Sequence, residues 1–260
     1  MNPFAIASLF LGFLVIGKGI ASPEVERELR LVADAKSGTS AAAQIHAAFG
    51  EKAIESPDRY PENHPGVPHI IIEEDPQMGA YFKFLLFRDH DGDREKSREE
   101  SDRQRNEIKG YWGSDEALKA THGQVARYHW KFRIDSDLQV SYQFCHLFQL
   151  KGVGGDDVGD PIFTISAALS KEVPVLELRY WKGEGAREKK IELAKLNSVK
   201  QTWLSCDFIV DYQERGSFRF SLTSADGSVI SSVEDDKIDT WRDQMDFCRP
   251  KWGIYRSLKG

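Results

Sequence analysis

The sequence predicts an all-β protein, a sandwich or jelly roll. Three observations predict it. Ten short runs are rich in aromatic and β-branched residues, turn signals divide them, and no helical pattern separates them. The runs are HIIIEE (69–74), AYFKFLLF (80–87), ARYHWKFRID (126–135), LQVSYQFCHLFQLK (138–151), PIFTISAAL (161–169), VLELRYW (175–181), TWLSCDFIVDY (202–212), SFRFSLT (217–223), SVISSV (228–233) and KWGIYRS (251–257). The turn signals are DGD, GVGGDDVGDP, KGEG, QERGS and SADGS. Strands at such short spacing imply two packed sheets.

Taken in order, the chain divides into three parts. Residues 1–21 carry an apolar run, Phe4 to Ile16, too short for a comfortable membrane span, followed by the small residues Gly19 to Ala21. They predict a signal peptide cleaved after Ala21, a secreted protein and no membrane contact after cleavage. Residues 22–65 predict a short helical N-terminal segment and a connector. SPEVERELRLVADA opens on Ser-Pro with acids in its first turn, SAAAQIHAAFGEKAI is rich in alanine, and ESPDRYPENHPGVPH is broken by four prolines. Residues 66–260 hold the predicted strands. Within them, 88–109 is almost wholly charged, but its tail DRQRNEIK climbs back into a strand.

Composition narrows the function. The 260 residues are 40% hydrophobic and carry a net charge of −6, which suits a domain with a sizeable core and argues against a nucleic-acid partner. A monomer is expected. Cys145, Cys206 and Cys248 include no CxxC and leave at least one thiol unpaired; Cys206–Cys248 is the pairing expected if a bridge forms.

The chemistry emerges when side chains are assigned by strand alternation. In RQRNEIKGY, Arg103, Arg105, Glu107, Lys109 and Tyr111 share one face. In CHLFQLK, Cys145, Leu147, Gln149 and Lys151 share a face, while His146 opposes them. In RPKWGIYRS, Arg249, Lys251, Gly253, Tyr255 and Ser257 share a face, with Trp252 and Ile254 turned to the core. Lined up on one concave sheet, these faces make a basic groove holding an amide and a phenol. Arginine forks onto carboxylates, so the groove suits an acidic polysaccharide. Gly253 would let a sugar approach the backbone. Each residue also has a plainer reading: Gln149 as surface, Tyr255 as core, and the Arg-Asn-Glu run as a solvated network. Trp112 and Trp181 either stack on sugars or pack in the core.

These segments resemble a known family. RNEIK resembles the R-(S/T)-E-L-R motif of jelly-roll alginate lyases, QLK their Q-(I/V)-H motif, and KWGIYRS their F-K-A-G-(I/V)-Y-N-Q motif, in the same order. DRQRNEIK, HLFQLK, GDPIFT, LELRY and RPKWGIYRSL are more similar to polysaccharide lyase family 20, the glucuronan lyases, over roughly residues 60–258. The resemblance implies a concanavalin-like β-jelly roll that cleaves a polyuronate, β-1,4-glucuronan first, by syn β-elimination. It implies Tyr255, Gln149 and Arg105 as catalytic residues, and Lys251 in the same groove. Lys151, Arg103, Lys109, Tyr111 and His146 complete the expected substrate contacts. Lys151 stands where the alginate lyases have histidine, so Tyr255 is expected to serve as base and acid, its pKa lowered by Lys251 and Arg105. His146 is either an interior histidine or an active-site group reached through a bulge.

The family also implies a structural calcium and no organic cofactor. Asp89, Asp91 and Asp93, alternating around Gly92, echo the start of a calcium loop, and GGDDVGD at 154–160 competes for the same role. The competing functions are an alginate lyase, a non-catalytic carbohydrate-binding module, and a structural or adhesion domain.

Overall fold

The computed structural model describes the backbone of residues 4–16 and residues 27–59, 66–93, 101–155, 158–182 and 186–259. Its strands, in chain order, are β1 (Phe4–Ile16), β2 (Arg27–Leu31), β3 (Ile54–Glu55), β4 (Ile70–Asp75), β5 (Gly79–Leu86), β6 (Arg103–Lys109), β7 (Val125–Arg133), β8 (Cys145–Val153), β9 (Phe163–Ser170), β10 (Val173–Tyr180), β11 (Lys189–Lys195), β12 (Trp203–Asp211), β13 (Gly216–Ser224), β14 (Val229–Ile238) and β15 (Phe247–Ser257). One sheet runs β14-β13-β12-β7-β1-β5-β4, with β2 beside β1. The other runs β11-β10-β9-β8-β15-β6-β3. The pairs are antiparallel, and the two sheets form a jelly-roll sandwich.

The two sheets use alternation differently. In β7, Ala126, Tyr128, Trp130 and Phe132 are buried while Arg127, His129, Lys131 and Arg133 stand out, as expected of a sheet with one wet face. β8, β9, β10 and β15 are buried almost throughout. Half of their residues enter the common core: Phe148 stacks on Trp130 at 4.3 Å, and Trp252 meets Trp130 edge-on at 6.4 Å. The other half includes Gln149, Thr164, Ser166, Glu177, Arg179 and Lys251, all buried and polar. Buried polar groups need partners: Thr164 meets Ser166, Arg179 meets Glu177, and Gln149 and Lys251 meet carboxylates of the neighbouring strands.

The N-terminal part is built into the sandwich. The apolar run predicted as a signal peptide forms β1, between β7 and β5. A helix expected to begin near Ser22 is instead β2, paired with β1. The helix that does form, α1 (Ala41–Phe49), is capped by Ser40 and buries Ala41, Ile45 and Phe49. β3 then adds to the edge of the second sheet beside β6. The strand expected over 138–151 is regular only from Cys145. All three cysteines are free and buried; Cys206 lies on β12 and Cys248 on β15, in opposite sheets, so the expected bridge is absent. Among the described residues no helix is long and apolar enough to cross a membrane.

Candidate active site

The three faces read from the sequence are brought together, because β6, β15 and β8 are neighbours. The register aligns Arg105 with Tyr255, Glu107 with Gly253, Lys109 with Lys251, Lys251 with Gln149, and Arg249 with Lys151. Gly253 serves the protein itself. Its φ is +131°, and a Cβ there would strike the carbonyl of Asn106 and the Cα of Glu107, so it lets β15 and β6 approach rather than a sugar. The register also separates two expected partners. Tyr255 lies four residues beyond Lys251, roughly 13 Å along the strand from the position of Gln149.

A buried ion network fills the interval. Glu55 of β3 and Glu107 of β6 are each 1% exposed. Lys251 Nζ reaches Glu107 at 2.6 Å and Glu55 at 2.9 Å. The Arg105 guanidinium reaches Glu107 at 3.0 Å, Glu55 at 3.2 Å and Asp93 at 2.8 Å. Lys109 pairs with Glu55, and the Gln149 amide donates to Glu107. Burial alone would raise the Glu55 pKa, but Lys251, Lys109 and Arg105 outweigh it and hold the carboxyl well below the usual range. Gln149 and Lys251 are each 2% exposed. They lie beneath the face and bond Glu107, with Lys251 also bonding Glu55, so they hold the carboxylates that Arg105 meets. Removing one member of such a buried set costs about 3–5 kcal/mol, because the remaining charge is stranded. Glu55 escapes a reading of the sequence, since it lies in a two-residue strand between an alanine-rich helix and a proline-rich connector.

Tyr255 stands at one end of this network. The Arg105 guanidinium carbon lies 3.7 Å from its ring centroid. The ring is half-buried, and no hydrogen-bond partner for its hydroxyl stands among the described residues. Burial raises the Tyr255 pKa, and Arg105 only partly opposes this, so the phenol holds its proton at neutral pH. That reverses the expected lowering by cations.

His146 joins it through a bulge. β8 takes two steps from His146 to Phe148 while β9 takes one from Ser166 to Ile165. The extra residue resets the alternation and places His146 opposite Tyr255, on the same face as Gln149. Its ring centroid is 6.1 Å from that of Tyr255, and Phe144 stacks on it at 4.5 Å. Nδ1 shares a 2.7 Å hydrogen bond with Ser166 Oγ, which in turn meets Thr164. Burial, then the cations Arg179, Lys251, Arg105 and Lys151, push its pKa well below the ordinary value and keep the imidazole neutral. Arg103 closes this end, 4.9 Å over the Phe144 ring and bonded to Asp102 and Ser257.

At the other end lie Lys109, Arg249 and Lys151. Lys151 donates to the Gly159 carbonyl at 2.7 Å, and its pKa falls to about 8 through burial and the nearby Lys251, Arg105 and Arg249. Among the described residues, β6, β8 and β15 place Arg103, Arg105, Lys109, Lys151, Arg249 and Lys251 along this face, and Glu55, Asp93, Asp102 and Glu107 pair with several of them. A separate cleft of about 860 Å³ opens beyond the β3 edge, lined by α1, Glu55, Asp58, Arg59 and Lys109. Its lining includes His46, but Tyr255, His146 and the Arg105 guanidinium stand together on the sheet face.

Two expectations do not assemble. Tyr111 lies past the end of β6 with its ring packed against Gly50 and Gly113, closing the end of α1. The aspartates of 89–93 do not converge on a cation. Asp91 is fully buried and accepts from His69 and from the Phe87 amide, Asp93 pairs with Arg105, and Asp89 is exposed. Among the described residues no three His, Cys, Asp or Glu side chains are grouped to hold a metal. The described aspartates do not fit a calcium ion. Asp156 and Asp157 of the competing segment lie outside the described residues.

No protein-family model matches the sequence, and no curated protein sequence matches it. Among solved structures, the chain is similar to an endo-β-1,4-glucuronan lyase from the fungus Trichoderma reesei, at 18% identity and a TM-score of 0.40, over 59% of this chain and 63% of that one. It is also similar to an alginate lyase from Pseudomonas aeruginosa, at 11% identity and a TM-score of 0.44, over 96% of this chain and 90% of that one.

Proposed function

We propose that the protein is a polysaccharide lyase that cleaves a polyuronate by β-elimination, with β-1,4-glucuronan as the first candidate substrate. The observation that carries this is Tyr255: a protonated phenol beneath the Arg105 guanidinium, beside a neutral imidazole, on a cationic sheet face. Elimination removes the proton at C5, next to the uronate carboxylate, and expels O4. The developing negative charge must be met by fixed donors. Arg105, held by Glu107, Glu55 and Asp93, is such a donor, with Gln149 and Lys251 fixing its partners from below. His146, uncharged, is suited to take the C5 proton, and Tyr255, still protonated, to give one to the leaving oxygen. Both lie on one face of the sheet, which fits a substrate whose H5 and O4 are on the same side. This shares between two residues the work that the sequence assigned to Tyr255 alone.

The test is a panel of polyuronates, including glucuronan and alginate, followed by the ultraviolet absorbance of the unsaturated uronate end. Wild type should produce it on at least one polymer, and Tyr255→Phe should lose it by at least about 100-fold while staying folded. A folded wild type that binds a polyuronate without cleaving any would make the protein a binding module. Secretion is proposed from the leader-like composition of residues 1–21. The N-terminal sequence of exported protein tests it: a start at Ser22 supports cleavage, and a chain still carrying Phe4–Ile16 means that β1 is permanent.

A further inference from the structure

Trp112 breaks a pattern. Trp130, Trp203, Trp241 and Trp252 are all buried, whereas Trp112 is 63% exposed. Leaving an indole in water forgoes the largest apolar burial a side chain offers. A single exposed aromatic needs no explanation on its own, but the position of this one is specific. Its ring meets Phe247 at right angles, with centroids 4.9 Å apart. Phe247 shares the face of β15 that carries Arg249, Lys251 and Tyr255, so Trp112 stands on the site face at the far end of the same strand. Arg249 donates to the carbonyl of Gly110, two residues before Trp112, and pairs across the ladder with Lys151. The turn that carries the indole is held. The Ser114 amide donates to the Tyr111 carbonyl at 2.9 Å, and Lys119 Nζ donates to the Trp112 carbonyl at 3.2 Å. An aromatic on a held turn, braced by one ring contact, binds with a reduced ordering cost.

We propose that Trp112, Arg249 and Lys151 form an outer subsite for a second uronate ring, the indole stacking on the sugar and the two cations taking its carboxylate. The proposal rests on the reading of Tyr255 as the reaction centre and adds a length to it. From Phe247 to Tyr255 the strand measures roughly 26 Å at its usual rise. The ring at Trp112 is therefore several residues along the polymer from the ring at Tyr255, and the ligand carries a uronate at each of these two positions rather than a single acidic sugar. Lys151 gives one N–H of its ammonium to the Gly159 carbonyl, and an ammonium has three such donors to share with a ligand.

The full chain should be assayed on polyuronate oligomers of increasing length and on the polymer, as wild type, Trp112→Ala and Lys151→Met. Wild-type kcat/KM should climb with length and level off once an oligomer spans the groove. Trp112→Ala should flatten the climb and lose roughly tenfold on the polymer, mainly in KM. Lys151→Met should weaken polymer binding and reduce its salt sensitivity. A Trp112→Ala variant with the wild-type length dependence overturns the subsite and leaves the lyase reading standing. If wild type cleaves nothing, retardation of each variant in a gel containing the polymer decides the subsite separately: equal retardation of wild type and Trp112→Ala overturns it. Because Trp112 is exposed, its substitution should leave the melting temperature near wild type, which separates lost binding from lost folding.

Discussion

Among the described residues two histidines are buried, and they differ in charge: one is cationic and the other neutral. His69 is fully buried between Asp58, 2.6 Å from Nδ1, and Asp91, 2.9 Å from Nε2. Burial would discharge it, but the two carboxylates outweigh burial and raise its pKa to about 9. His146 meets a hydroxyl, and the charges around it are cationic, so burial and charge act together and leave it neutral. The difference teaches that depth alone does not set protonation; the sign of the neighbours does. It also divides the labour. His69 ties together the turn carrying Asp58, the 87–93 loop and, through its carbonyl, Asn106 of β6. That loop supplies Asp93, which holds Arg105. One histidine is a charged clip behind the site, and the other is a neutral imidazole within it, the base of the proposed elimination.

The largest expected effect comes from breaking the clip. His69→Gln removes the cation between two carboxylates, one of them fully buried, and should cost about 3–5 kcal/mol of stability, read as a fall in the melting temperature. The pH dependence has a definite sign. The folded pKa of His69, about 9, exceeds the ordinary 6.5. Its stabilisation is therefore complete below about pH 6.5 and is lost as pH rises through 9. His69→Gln should flatten that alkaline loss. A variant as stable as wild type, with the same alkaline limb, would show that His69 is not a charged clip.

These roles were unevenly legible in the sequence. Arg105, Lys251 and Tyr255 could be placed on one face because β6 and β15 run together without a slip from 109 to 105, so a period of two holds. His146 could be placed there only by supposing a bulge, because one inserted residue in β8 inverts the parity of everything before it, and no residue type announces it. β2 was misread for another reason. VERELRLVA has good helix formers, yet pairing with β1 decides its state, and tertiary contacts override propensity. Asp89, Asp91 and Asp93 suggested a metal by spacing alone. Their partners, His69 and Arg105, lie far off in sequence or in a charged run, where nothing marks them as a pair.

The smaller effect on folding, and the sharper one on chemistry, belongs to His146. His146→Gln keeps a group able to bond Ser166 and removes only the base, so turnover should fall by about 100-fold or more while the melting temperature changes far less than in His69→Gln. The pH profile separates the two histidines again. A pKa depressed below 6.5 means that His146 stays neutral as pH falls through the ordinary histidine range; its stabilisation is present above about 6.5 and is lost only below it. The acid limb of kcat should therefore lie below pH 6.5, and it should disappear with the imidazole. If His146→Gln turns over like wild type, Tyr255 must carry both proton transfers, and the limb that remains belongs to it. If the variant instead unfolds as readily as His69→Gln, both histidines are structural clips and the contrast between them is lost. A limb at or above 6.5 would mean that the cations around His146 do not govern it, and the neutral base would have to be sought elsewhere on the face.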